Sequence, residues 1–93
     1  MAATRTVFFI SDGTGITAES LGHSLLSQFE GIAFRQVRIP FVDSAEKAQD
    51  CVEQIRAAQA LDGVRPVVIS TLVNADVADR LREADALILD FFS

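Results

Sequence analysis

The chain lacks tryptophan and tyrosine, and its 93 residues hold one cysteine (Cys51), one histidine (His23), one lysine (Lys47) and two prolines. A single cysteine excludes an internal disulfide and any cysteine-based zinc centre. One histidine leaves too few nitrogen ligands for a metal site, so none is expected. With Lys47 as the sole lysine and no Gly-Lys-Ser/Thr after its glycines, the chain carries no nucleotide P-loop. No apolar run approaches about 18 residues, which excludes a transmembrane helix. The apolar run Val7-Phe8-Phe9-Ile10 is too short for a signal-peptide core, so a cytoplasmic protein is the expectation. Positive charge is scarce as well: 8 Lys+Arg face 13 Asp+Glu, a net charge of −5 with a pI near 4.6. Nucleic-acid binding rests on phosphate neutralisation, so no nucleic-acid partner is expected, and no basic helix is present to lie on a membrane.

What is abundant is apolar surface. Apolar residues make up 49% of the chain and mean hydropathy is +0.30, which excludes disorder. The length suits one small domain, residues 1–93. Short β-rich runs alternate with longer helical ones. Val7-Phe8-Phe9-Ile10 is apolar throughout, as a strand covered on both faces must be. From residue 16 to about 30, Ala18, Leu21, Gly22, Leu25 and Phe29 recur at helical spacing, with Gly31 closing the helix. Residues 34–39 read as a second strand whose Arg35, Gln36 and Arg38 suit a sheet edge, and Pro40 ends it. Asp43 with Glu46 predicts a capping-box-like helix start. That helix is expected to bury Ala48, Cys51, Val52, Ile55, Ala58 and Leu61 before Asp62-Gly63. Residues 66–69 form a third apolar run. Asn74 caps a short helix that turns Val77, Ala78, Leu81 and Ala84 inward, and residues 86–92 make a fourth strand.

The order β-α-β-α-β-α-β predicts an α/β, three-layer fold with a four-stranded parallel sheet and right-handed crossovers. The two most apolar strands belong at its centre, giving the flavodoxin/Rossmann-like order 2-1-3-4. An apolar fourth strand running into Phe91-Phe92-Ser93 is an exposed edge, which points to an incomplete domain fragment. The alternative cover for that edge is a second copy of the chain, as a homodimer.

Ligands of parallel sheets bind at the carboxyl ends of the strands. Ser11, Asp12, Gly13, Thr14, Gly15 and Thr17 follow the first strand, Asp43 follows the second, Ser70 and Thr71 end the third, and Asp90 lies near the end of the fourth. The turn of residues 11–17 combines two glycines with a helix N-terminus, whose unpaired N–H groups and positive dipole end favour an anion such as phosphate. Asp43, Ser70, Thr71 and Asp90 are its expected crevice lining. The same turn is also explained as an ordinary strand-to-helix connection with Thr as a cap. Asp12 and Asp90 invite comparison with a magnesium pocket, but a strand-end aspartate more commonly accepts loop amides. A receiver domain needs an acceptor aspartate where Ser70-Thr71 stand. His23 is expected on a solvated outer helix face, Cys51 buried and inert, the phenylalanines in the core, and Arg80 and Arg82 solvated. Phe41 is the exception, placed to line the crevice or meet another domain.

The segment from Phe8 to Phe29, FFISDGTGITAESLGHSLLSQF, resembles the phosphoenolpyruvate synthase regulatory protein family, which includes the pyruvate, phosphate dikinase regulatory proteins. Pro40-Phe41-Val42-Asp43 and the strand before Phe92 are similar to its next landmarks. The resemblance implies a parent enzyme that phosphorylates a threonine of phosphoenolpyruvate synthase or pyruvate, phosphate dikinase with ADP. It implies that the same enzyme removes that phosphate with inorganic phosphate, releasing pyrophosphate. It also places the nucleotide P-loop beyond this chain. The fragment alone is therefore expected to hold no catalytic residue and no cofactor and to be inactive. Two other readings stand beside it. One is a flavodoxin-like flavin or phosphate binder, to which the Thr-Gly-x-Thr turn is similar although the ring-stacking Trp and Tyr are absent. The other is a non-catalytic docking or dimerisation module.

Overall fold

The computed structural model describes residues 3–91, in which four strands alternate with three helices. Strand β1 (Ala3–Ile10) contains the run of residues 7–10 and begins four residues before it. The reason lies in the neighbours. All eight residues of β1 pair with β2 (Ile32–Ile39), whereas only Val7, Phe8, Phe9 and Ile10 also pair with β3 (Val67–Ser70). Only the doubly flanked half must be apolar on both faces. Helix α1 (Ile16–Leu26) joins β1 to β2, and α2 (Ala45–Asp62) joins β2 to β3. Helix α3 (Ala75–Leu81) leads to β4 (Leu87–Asp90). The sheet is wholly parallel, in the order β2-β1-β3-β4, as expected.

The chain moves one way from β1 to β2 and the other way thereafter. Right-handed crossovers then put α1 on one face and α2 and α3 on the other. Side-chain alternation follows suit. Phe8, Ile10 and Val68 pack with Val52, Ile55 and Leu81, while Val7, Phe9 and Ile69 pack with Ala18 of α1. The middle strands are buried and β2 is the exposed, polar edge. Among the described residues, no helix is long and apolar enough to cross a membrane.

Several local expectations need correction. Helix α1 stops at Leu26, and the amides of Gln28 and Phe29 bond the carbonyls of Leu25 and Leu26 in a tightened final turn. Its packed stripe is Ala18, Gly22, Leu25 and Leu26, whereas Leu21 is exposed and Phe29, half exposed beyond the helix end, meets the Phe34 ring edge-on at 6.3 Å. His23 is exposed but does not point away from the sheet. It bonds Gln36 at 2.6 Å and meets the Phe9 ring edge-on at 5.7 Å. Helix α2 is capped by Ser44, whose Oγ accepts the Lys47 amide at 3.2 Å, while Asp43 pairs with the Lys47 ammonium at 3.0 Å. Leu61 is exposed beside an open groove between α2 and the edge strand. Asn74 caps α3 as expected, its Oδ1 accepting the amides of Asp76 and Val77. Strand β4 ends at Asp90, Phe91 is exposed, and Phe92 and Ser93 of the expected strand end lie outside the described residues.

Candidate functional site

Three loops meet at the carboxyl ends of β1, β2 and β3, and backbone hydrogen bonds lace them together. Beyond Ile10, the Ser11 amide donates to the Ile39 carbonyl at 3.2 Å, and the Ser11 carbonyl accepts the Val42 amide at 2.8 Å. The Gly13 carbonyl accepts the Phe41 amide at 2.8 Å, and the Ile10 carbonyl accepts the Thr71 amide at 3.0 Å. Side chains add two ties. Ser11 Oγ accepts the Gly13 amide at 3.0 Å, and Asp12 Oδ2 reaches the third loop to accept the Val73 amide at 3.3 Å. Bonds of this kind hold a loop that contributes little to either core.

The result is a hollow of about 240 Å³ lined by residues 11–17 and Thr71. Gly15 is the N-cap of α1 with φ +85°, left-handed backbone that a Cβ disfavours, and the Arg38 stem passes 3.1 Å from where that Cβ would stand. No side chain caps the first turn of α1. The nearest substitute is Thr14 Oγ1, at 3.5 Å from the Ile16 amide, the outer limit of a hydrogen bond. Gly15, Ile16 and Thr17, where α1 begins, form part of the hollow's lining. On its other side the hollow is lined by Thr71, which is only 3% exposed.

Of the expected crevice residues, Thr71 alone joins the hollow. Ser70 is buried, with its Oγ accepting the Leu72 amide at 3.3 Å. Asp43 is exposed and bound to Lys47, whose hydrogen bond and charge hold its carboxyl below the usual carboxylate range. Asp90 stands opposite Ser70 in the sheet register, away from the hollow lining. Among the described residues, no group of three or more His, Cys, Asp or Glu could hold a metal ion. His23 lies against Gln36 and Phe9, outside the hollow. The lining itself offers amide and hydroxyl donors and one carboxylate, which can bind an oxyanion but form no nucleophile–base pair.

The rim is apolar, which sequence reasoning caught only at Phe41. Ile16, Phe41 and Val73 are 63%, 55% and 71% exposed. Each is joined to the loop: Ile16 lines the hollow, Phe41 bonds Gly13, and Val73 bonds Asp12. Phe41 has φ +60°, and its carbonyl accepts the Lys47 ammonium at 3.3 Å. A bulky side chain in left-handed backbone carries strain of roughly 1–3 kcal/mol, of the kind that gathers at binding sites. No residue pattern marks Ile16 or Val73 in advance, because a lone apolar residue at a loop reads as core until the neighbours are known.

A family model described as "Kinase/pyrophosphorylase" matches residues 7–93. A protein of Aromatoleum aromaticum (strain DSM 19018 / LMG 30748 / EbN1) named "Putative phosphoenolpyruvate synthase regulatory protein" is 68% identical over 88 residues, covering 95% of this chain and 32% of the relative. Proteins of the same name from Azoarcus sp. (strain BH72) and Janthinobacterium sp. (strain Marseille) are 64% and 53% identical. They cover 95% and 96% of this chain and 32% and 31% of their own lengths. The chain thus spans about a third of the length of the curated relatives it matches.

Proposed function

The chain belongs to the kinase/pyrophosphorylase family, and from that premise we propose that it is the amino-terminal α/β part of a regulatory enzyme acting on phosphoenolpyruvate synthase. In one direction the parent enzyme transfers the terminal phosphoryl group of ADP to a threonine hydroxyl of the target, leaving AMP. In the other, inorganic phosphate attacks that phosphothreonine, freeing the hydroxyl and releasing pyrophosphate. Pyruvate, phosphate dikinase is the other target the family implies, and the names of the relatives favour the synthase. The observation that carries this reading is the 68% identity across 95% of the chain.

Within that cytoplasmic enzyme the present residues supply binding rather than chemistry. No Gly-Lys-Ser/Thr occurs among the 93 residues, so the nucleotide site is assigned to the part of the relatives that this chain does not span. The apolar rim of Ile16, Phe41 and Val73 supports contact with the target protein around the polar hollow. The test uses the parent enzyme with purified synthase. Adding ADP should silence the synthase and produce one phosphothreonine by mass spectrometry, together with AMP. Adding phosphate should reverse both and release pyrophosphate. Failure to form phosphothreonine with ADP would refute the assignment.

A further inference from the structure

We propose that the apolar groove on the α1 face of the sheet seats an amphipathic helix from the part of the parent polypeptide that these 93 residues do not span. A parallel sheet is stable when helices cover both of its faces. Here α2 and α3 cover one face, where Ile88 of β4 joins Val68 in the core. On the other face α1 packs over Val7, Phe9 and Ile69. The start of β4 stays open: Leu87 is 42% exposed and shares the groove with exposed Phe29 and Ile32. Register fixes the side. Leu87 and Leu89 stand level with Val67 and Ile69, which pack on the α1 side. The groove's volume, about 150 Å³, falls below the roughly 300–1,000 Å³ of a small-molecule pocket, so it suits the side chains of a packed element.

Length, charge and handedness select the occupant. This chain spans about a third of its relatives, so the proteins it matches hold further elements. On that point the inference rests on the reading above, that the chain is part of such an enzyme. A second copy fits poorly, because each carries a net charge of −5 and copies repel at neutral pH. A right-handed crossover outward from β4 would lie with α2 and α3, so the helix belongs to another connection of the parent chain. Running antiparallel to the strands, as α1 does, it would end at their amino ends. There Arg5 lines the groove, its Nε donating to the Arg65 carbonyl at 2.7 Å. The guanidinium charge thus stands where the last carbonyls and the dipole end of the helix are negative. Apolar residues at i, i+3 or i+4 and i+7 of that helix would fill the groove.

The experiment uses the full-length parent enzyme. Leu87→Cys is labelled with a maleimide in native enzyme and in urea, with the product located by peptide mass spectrometry. A half-exposed thiol would react nearly as fast in both. Beneath a docked helix it should react about tenfold more slowly in native enzyme, as a group reached only by local opening does. In a second variant a photoreactive phenylalanine analogue replaces Phe29. Its expected product is an intramolecular cross-link to an apolar peptide outside these 93 residues. Arg5→Glu should speed labelling of residue 87, and Arg5→Lys should leave it slow. The docking is overturned by equal rates in native enzyme and urea, by a cross-link joining two copies, or by one formed only to added synthase. Unaltered labelling in Arg5→Glu would overturn the orientation of the helix. Phosphothreonine formation with a freely labelled residue 87 would remove the docking and leave the kinase reading. A protected residue 87 without phosphothreonine formation would do the reverse.

Discussion

At the residue scale, buried polar groups decide how the protein responds to pH. Thr6 is buried in β1, and its Oγ1 donates to Asp62 Oδ2 at 2.7 Å while accepting Arg35 Nη1 at 3.3 Å. The Thr6 bond, ahead of the half-exposed Arg35, holds the Asp62 carboxyl below the ordinary carboxylate range. A lowered folded value means stability that is present above the unfolded value and lost as pH falls through the folded one. Thr6→Val should lower the urea midpoint at pH 7, with the deficit shrinking as acid protonates Asp62. Cys51 shows the opposite sign. Burial pushes its thiol up to about 11, so the folded state keeps the proton that the unfolded chain has released. Stability should therefore decline between pH 9 and about 11, and Cys51→Ala should flatten that decline. The burial of Cys51 was legible from its place in the helical stripe. The Thr6–Asp62–Arg35 tie was not, because its members lie 27 to 56 residues apart in sequence.

Among the elements, α1 shows how a local pattern misleads. Ala18, Gly22 and Leu25 of the expected stripe do turn inward, but Leu21 and Phe29 do not, because the helix seats itself on Gly22. A Cβ there would collide with the Phe9 ring and stand 2.9 Å from Ile69 Cδ1. The absent side chain lets α1 approach the sheet closely, rotating Ala18, Leu25 and Leu26 inward and carrying His23 onto Phe9. Gly22→Ala should thus destabilise despite alanine's better helix propensity, by about 1–3 kcal/mol of overpacking. A lowered urea midpoint checks this, whereas a raised one would show that Phe9 repacks freely. The α3 cap was readable because Asn74 acts on amides two and three residues away. At α2 the expected cap, Asp43, pairs with the Lys47 ammonium, and Ser44 one residue later accepts the Lys47 amide in its place.

On the scale of the whole molecule, the two faces of the sheet are unequally covered. Helices α2 and α3 cover one face, whereas α1 alone lies on the other and leaves Phe29, Ile32 and Leu87 exposed around an apolar groove. A net charge of −5 keeps copies apart at neutral pH, and that repulsion vanishes near the pI of 4.6. Light scattering from pH 4 to 8 should peak near 4.6, and Leu87→Gln, which removes apolar surface without changing charge, should lower the peak. An unchanged peak would place the contact elsewhere.

Fold class, strand order and the loop that forms the hollow were determined by the sequence alone. Each depends on short-range patterns: the apolar run of residues 7–10, helical spacing, and glycine placed before a helix. Only the tertiary structure decided which side chains meet. It brought Thr71, 54 residues beyond Thr17, to the hollow and left Ser70 and Asp43 with other partners. The physical reason is that strand register and helix roll are set by close packing across the sheet, at Gly22 on Phe9 and β1 on β3, and no pattern local in sequence encodes those contacts.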